Sequence, residues 1–390
     1  MSIQGSTEGG ARRLRLGMVG GGRGAFIGAV HRIAARLDDR WQLVAGALSS
    51  DPERARASGA DLMLAPDRIY SDAATMAGAE RARPDRIDAV AIVTPNDAHA
   101  AAARAFLEAG IHVICDKPLT TTRVEAEALE RLARETGLIF AVTHNYTGYP
   151  LVRQARAMVA SGAIGRVRVV QVEYAQDWLS TRLEATGQKQ AAWRTDPARS
   201  GPAGAVGDIG SHAFNLAEFV AGDTVERLSA DLHTFVDGRP LDDNAHMMLR
   251  FKGGARGMLW CSQVAPGNEN NLRLRIYGET GGLEWAQENP NALVHAPFGE
   301  PPRLIRRGGA GASEVAAAAT RIPAGHPEGY LEGFAQLYAD IAEQIVARIE
   351  GREPAPLSLQ VPTVGEGVRG VRFIEAAVRS GRADAAWTEV

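Results

Sequence analysis

Along the first third of the chain, short runs of aliphatic and β-branched residues alternate with amphipathic stretches rich in Ala, Arg and Glu. The runs at 14–19, 41–48, 89–94, 112–115 and 138–142 lack polar alternation, which predicts strands buried on both faces. The stretches at 26–37, 52–58, 98–109 and 122–136 predict helices between them. Strand and helix in strict turn require crossovers of one hand, and therefore a doubly wound parallel sheet over 14–145. Beyond Tyr146 the period changes. A helix is expected at 150–160, a half-exposed strand at 167–174, and further strands at 226–236, 246–251, 255–263, 272–277 and 282–285, several joined by turns such as Lys252-Gly253-Gly254. Consecutive strands with tight turns predict a large, mainly antiparallel open sheet in a second α+β domain, 146–390. The Gly-, Pro- and Ala-rich segment 290–323 reads as a long loop. Helical patterns at 330–350 and 363–379 close the chain and are available to pack back on the first domain. Residues 1–13, polar and Gly-rich, are expected to form a flexible tail.

Composition narrows the function. A chain of 390 residues, 45% hydrophobic, is long enough for two cores and too apolar for general disorder. With 43 basic against 46 acidic side chains it has no overall field to attract nucleic acid or an anionic membrane, so a small-molecule partner is expected. Cys115 and Cys261 have neither a metal-ligand nor a disulfide pattern, and no metal is expected. No run approaches the ~18 apolar residues of a membrane span. A cytoplasmic protein fits these features. Glycine is over-represented, 43 residues, and its placement carries the chemistry.

The first strand runs into Gly20-Gly21-Gly22-Arg23-Gly24-Ala25, a G-x-G-x-x-A segment set between strand and helix. Gly20 permits the tight turn, Gly22 lets backbone approach a pyrophosphate, and Ala25 lets the helix sit close to the sheet. Arg23 and the helix start would face the anion. This predicts a dinucleotide site, for NAD or NADP. At the end of the second strand Ser49 and Ser50 precede Asp51, which reads as a helix cap before Pro52. With Ser49 in the place of a ribose-binding acid, and Arg54 one turn on, the choice between NAD and NADP stays open. Strand ends also deliver Thr94-Pro95-Asn96 and Asp116-Lys117-Pro118 to the carboxyl edge of the sheet, where ligands of such folds bind. His99 faces the same cleft or lies on its helix surface. Further on, Asp208 and His212 are four residues apart ahead of an apolar helix over 213–220, a spacing that puts both on one helix face. They fit an acid/base pair, or equally a helix cap and a satisfied helix histidine.

The combination of Gly20 to Ala25, Asp116-Lys117-Pro118 and the strand region around Ile276-Tyr277-Gly278 and Gly281-Gly282-Leu283-Glu284-Trp285 resembles the Gfo/Idh/MocA oxidoreductases over nearly the whole chain. That family's usual Glu-Lys-Pro is Asp116-Lys117-Pro118 here, and its frequent acid after the second strand is Ser49. Insertions near 182–189 and 301–321 mark a subfamily with another substrate. The resemblance implies a catalytic set of Lys117, Asp208 and His212. It also implies cofactor contacts at Gly20, Gly22, Arg23, Ala25, Ser49, Ser50, Arg54, Thr94, Asn96, His99, Asp116 and Lys117. Substrate contacts are expected from Lys117, Tyr146, Tyr149, Arg194, Asp208 and His212, with Asp177, Asn244 and His326 as weaker candidates. Trp178, Trp193 and Trp260 fit core packing better than sugar stacking. The implied reaction is reversible NAD(P)-dependent oxidation of a secondary hydroxyl on a sugar, sugar derivative or cyclitol. An NAD+-dependent glycoside hydrolase working by transient oxidation uses the same residues, with Tyr146 or Tyr149 as an added base. A silent nucleotide-binding regulator is the third reading. Family practice also implies a homodimer or homotetramer.

Overall fold

A computed structural model describes residues 12–390. Most of the expected tail, residues 1–11, lies outside the described residues. Arg12 and Arg13 are held instead by pairs to Asp88 and Asp39, both at 2.7 Å. The chain forms two compact units: residues up to 120 with 124–145 and 331–365, and 121–123 with 146–330 and 366–390.

The first unit alternates β1 (Leu14–Gly20), α1 (Phe26–Leu37), β2 (Trp41–Ala47), α2 (Pro52–Asp61), α3 (Ala73–Ala82), β3 (Ala89–Val93), α4 (His99–Glu108), β4 (His112–Cys115), α5 (Arg123–Thr136) and β5 (Phe140–Val142). The five strands are all parallel, in the order β2-β1-β3-β4-β5. Every residue of β3 and β5 is buried, as uninterrupted aliphatic runs require. Strand order reverses between β1 and β3, the switch point at whose carboxyl edge doubly wound folds bind ligands. The Asp51 carboxylate caps α2 by accepting from the Arg54 N–H, with Pro52 in the first turn. Helix α3 was missed in the sequence pattern. It starts on a similar cap, Asp72, but buries only Met76, Ala77 and Glu80, too narrow a stripe to announce itself.

The second unit holds α6 (Pro150–Ala160), β6 (Val167–Ala175), the short helices α7 (Lys189–Arg194) and α8 (Pro197–Ser200), α9 (Ser211–Ala221), β7 (Val225–His233), β8 (Asn244–Phe251), β9 (Arg256–Ser262), β10 (Asn271–Gly278), β11 (Gly281–Ala286), β12 (Ala292–Pro297), β13 (Arg303–Arg306) and α10 (Glu314–Ala318). Helix α11 (Tyr330–Glu350) belongs almost wholly to the first unit, and α12 (Val364–Arg382) and β14 (Thr388–Glu389) mostly to the second. In the first unit the Tyr338 of α11 accepts the Trp41 indole N–H at its carbonyl, and its hydroxyl lies 2.9 Å from the buried His31 ring. The nine strands of the second unit run β13-β12-β11-β10-β6-β9-β8-β7-β14. Every pair is antiparallel except β6 with β9. Alternate residues of the central strands, such as Val170, Val172, Met247, Leu259, Leu274 and Ile276, point into the core shared with α6, α9 and α12.

The loop expected at 290–323 is not one loop. It contains β12, β13 and α10, because Leu293 and Ile305 alternate inward and pair across the two strands. Their runs of four to six residues are hidden among Gly and Pro turns. The remainder is tied to a buried ion pair: the Arg307 guanidinium bonds Glu328 at 2.9 Å and the Ile322 carbonyl at 2.7 Å. Among the described residues, no helix is long and apolar enough to cross a membrane.

Candidate active site

The glycine loop of the first unit is shaped by backbone that a side chain would block. Gly20 and Gly21 have φ of +80° and +72°, in the left-handed region. A Cβ on Gly22 would stand 2.6 Å from the Leu48 carbonyl oxygen and 2.8 Å from Ser58 Oγ. The Gly22 N–H donates to Leu48 O and the Arg23 N–H to Ser58 Oγ, so the loop is fastened to the end of β2 and to α2. The close helix approach is made at Gly28 and not at Ala25 as expected: a Cβ on Gly28 would lie 2.4 Å from Gly21 Cα. Ala25 is instead the N-cap residue of α1. The Arg23 guanidinium is turned to Asp61, at 2.5 and 2.7 Å, so its side chain is committed to α2.

At the neighbouring strand ends, buried polar groups hold the turns. His99 is fully buried, which excludes a surface position. Its Nδ1 lies 2.9 Å from the Pro118 carbonyl and its Nε2 2.9 Å from the Thr94 carbonyl, so it braces the two turns against each other. Asn96 is buried and Thr94 half-buried. The Asp116 carboxylate accepts from the Lys117 N–H and the Thr143 hydroxyl, both at 2.9 Å, which fixes the turn from which Lys117 projects; the Lys117–Pro118 peptide is cis. His144 is held neutral, its pKa pushed down to about 3 by burial and then by the Lys117 charge.

In the second unit Asp208 lies in a single π-turn, Val206–Gly210, that runs directly into α9. The cap half of the alternative does not apply, while His212 does lie inside α9, buried. Asp208 is inside the turn, and the N-cap position of α9 is Gly210, with no side-chain cap. Such turns displace side chains from the α-helical register and are frequent at functional sites. Asp208 Oδ2 accepts from Arg194 Nε at 3.2 Å and from Gln263 Nε2 at 2.9 Å. Arg194 is stacked 4.3 Å over the Trp193 ring and bonds Gln190 Oε1 at 2.6 Å. His212, nearly buried, has its ring edge-to-face with Tyr146 at 4.9 Å.

Comparison with known proteins places the chain among its relatives. Residues 14–144 match a family described as "Oxidoreductase family, NAD-binding Rossmann fold", and 152–284 match the "GFO/IDH/MocA C-terminal domain". An uncharacterized oxidoreductase of Bacillus subtilis, YfiI, is 37% identical over 97% of both chains. The chain belongs to the Gfo/Idh/MocA family. A solved oxidoreductase from Sinorhizobium meliloti is 55% identical, with a TM-score of 0.88 over 97% of this chain and 99% of that one. An inositol dehydrogenase homolog from Azotobacter vinelandii, solved with NADH and myo-inositol, is 39% identical, with a TM-score of 0.90 over 97% and 98%.

The first unit of this Gfo/Idh/MocA protein is thus an NAD-binding Rossmann domain, and the Gly22 cradle fits a pyrophosphate lying against bare backbone. Ser49 and the exposed Ser50 and Arg54 stand at the end of β2, with Ser49 Oγ accepting from the Asp51 N–H at 3.1 Å. The tyrosines are enclosed. Tyr146 and Tyr149 are buried, the Tyr146 hydroxyl lies 2.6 Å from that of Tyr174, and Tyr149 packs edge-on to Trp285. Burial raises the Tyr146 pKa, which disfavours it as a base. Among the weaker candidates, Asn244 accepts from the Trp260 indole N–H, Asp177 from the Gly267 N–H, and the His326 carbonyl from Arg307. Trp178 donates to Gln176. Sequence reasoning missed Gln263, which donates to Asp208, Asp242, which accepts from the Gly204 and Val206 N–H groups, and Asn270, which accepts from the Tyr174 hydroxyl at 2.7 Å. Each sits next to a strand end, where nothing in the local pattern distinguishes it from a turn residue. Among the described residues, no group of three His, Cys, Asp or Glu side chains could hold a metal ion.

Proposed function

We propose that this protein is an NAD-dependent dehydrogenase that oxidises a secondary hydroxyl of a sugar, sugar derivative or cyclitol, with Lys117, Asp208 and His212 as its catalytic residues. The observation that carries the reading is the Asp208 carboxylate, aimed by Arg194 and Gln263 in a π-turn one helical turn ahead of His212. It is supported by the likeness to a relative solved with NADH and myo-inositol. NAD, when bound, supplies the hydride acceptor. His212 takes the hydroxyl proton, because imidazole exchanges protons near neutral pH. The Lys117 ammonium stabilises the oxygen as negative charge develops on it, and the short Asp116 side chain holds its backbone still. Asp208 orients the reacting hydroxyl and favours the charged imidazole. Several hydrogen-bonding groups are needed to hold a polyol, and Arg194, beside Asp208, is the candidate to supply some of them from the second unit.

The test is oxidation of a polyol panel, beginning with myo-inositol, followed by NADH formation. Lys117→Met and His212→Ala are expected to lower kcat by about a thousandfold, of the order given by removing an acid/base or a charge-stabilising group. NAD+ is expected still to bind both variants, with a dissociation constant near the wild-type value in His212→Ala. Full turnover in both variants overturns the assignment.

A further inference from the structure

The π-turn that carries Asp208 is clasped by one corner of the second unit, the pair Asp242 and Asp243 ahead of β8. Asp242 makes three hydrogen bonds to the chain that enters it, one of them to the turn's first residue, Val206. Its carbonyl accepts from the Ala205 N–H at 2.9 Å, Oδ1 from the Gly204 N–H at 2.7 Å, and Oδ2 from the Val206 N–H at 2.9 Å. The fit is close enough that a Cβ on Gly204 would stand 2.1 Å from the Asp242 carbonyl oxygen. The same corner reaches Asp208 by a second route. The Asp243 carbonyl accepts from the Gln263 backbone N–H at 2.8 Å, and the Gln263 side chain, 2% exposed, donates to Asp208 Oδ2 at 2.9 Å. The Asp243 carboxylate is itself locked by the Phe235 and Val236 N–H groups and by buried Arg239, which also bonds Glu184 and the Leu179 and Thr181 carbonyls. The backbone of the π-turn and the amide that addresses its carboxylate are therefore set from one rigid point.

Chemistry fixes the orientation of that amide. The flipped Gln263 would put its carbonyl against a carboxylate, so the NH2 end must face Asp208. A buried donor on a carboxylate oxygen favours the charged form and restricts its rotation. Arg194 from α7 bonds the same carboxylate, the hydroxyls of Tyr146 and Tyr174 feel its charge, and His212 of α9 has its ring against Tyr146.

We propose that Gln263 is a positioning residue for the dehydrogenase reaction: anchored by the Asp242–Asp243 corner, it holds Asp208 ionised and aimed. This rests on the proposed role of Asp208, so the test separates the two. Gln263→Met keeps the shape and removes the donor, and Gln263→Glu replaces it with a second carboxylate. The side-chain carboxyl carbon of Asp208 is followed by carbon-13 NMR during a pH titration and recognised as the signal lost in Asp208→Asn. Its midpoint is expected to rise by roughly one unit in Gln263→Met and further in Gln263→Glu. With myo-inositol or the best polyol found, the acidic limb of kcat/KM is expected to move up in the same order. On that limb the shift corresponds to a loss of about tenfold at a fixed pH, while the NAD+ dissociation constant stays unchanged as a check on folding. Wild-type midpoints in both variants overturn the proposal. A wild-type protein that oxidises no polyol overturns the reaction instead, and the titration still decides whether Gln263 controls Asp208.

Discussion

A serine hydroxyl and an aspartate carboxylate treat the 2′-oxygen of a ribose differently, and at the end of β2 this chain has the serine. Ser49 accepts from the Asp51 N–H, while the Asp51 carboxylate is spent on the Arg54 N–H at 2.7 Å and so points into the start of α2. Ser49 itself carries no charge to repel a 2′-phosphate, and Arg54 is exposed in the first turn of α2. NADP+ is therefore expected to serve alongside NAD+. Ser49→Asp should lower the ratio of kcat/KM for NADP+ over NAD+ by about tenfold or more, the effect of ~1.4 kcal/mol or more of added repulsion, and Arg54→Ala should weaken NADP+ alone. A ratio unchanged in both variants would show that the 2′ position is read elsewhere. The glycine loop adds a second lesson at this scale. Its type and place were legible from Gly20 and Gly22, but the residue that lets α1 approach is Gly28, one turn into the helix, because the contact depends on where the helix crosses Gly21 and not on motif spacing.

Elements of the first unit carry two histidines that tie its stability to pH. His112, at the start of β4, accepts the Ile139 N–H at Nδ1 and is pushed down to about 4 by burial and then by Arg348; His144, just past β5, is pushed down to about 3. Unfolded histidine titrates near 6.5. Below that pH the unfolded chain binds protons that the folded one refuses. The stabilisation from neutral imidazole is thus complete above about 6.5 and is lost as pH falls toward 4 and then 3. Thermal melts between pH 7 and 4 should show the midpoint falling more steeply for the wild type than for His112→Gln, whose amide oxygen can still accept from Ile139. Equal slopes would refute the assignment. Neutral His144 also leaves Lys117 without a second cation beside it at working pH. The five parallel strands were legible because each carries a mainly apolar run, interrupted at most by a residue such as Arg15 or Gln42. The β12 and β13 pair was not, since their inward residues are separated by Gly and Pro turns and their order depends on the distant Arg307–Glu328 pair. The π-turn was equally hidden: Asp208 and His212 have α-helical spacing in the sequence, and the entry to the turn is held by Asp242, 34 positions downstream of Asp208.

At the scale of the whole molecule, the large sheet of the second unit has one face packed against helices and another whose side chains stand in solvent. Strand register aligns that outer face: Arg275, Gln171, Met258 and Met248 lie opposite one another across four strands, and Val169 pairs with Tyr277 one row away. Met248 is 55% exposed, Met258 43% and Tyr277 42%, a concentration of apolar surface unusual for residues meant to stay wet. Around them Glu173 and Glu284 alternate with Arg273 and Arg275, at 3.3 to 3.9 Å. A patch with apolar centre and charges of both signs can complement itself when rotated by two-fold symmetry, so a second copy of this chain is the occupant expected there. The near-neutral balance, −3 overall, sets no long-range repulsion against such pairing. Sedimentation velocity should report a dimer or tetramer for the wild type. Met248→Asp combined with Met258→Asp should give monomers that still bind NAD+, because the nucleotide loop belongs to the first unit, which has its own sheet and core. A monomeric wild type, or a double variant that remains associated, would leave this face without the role argued for it.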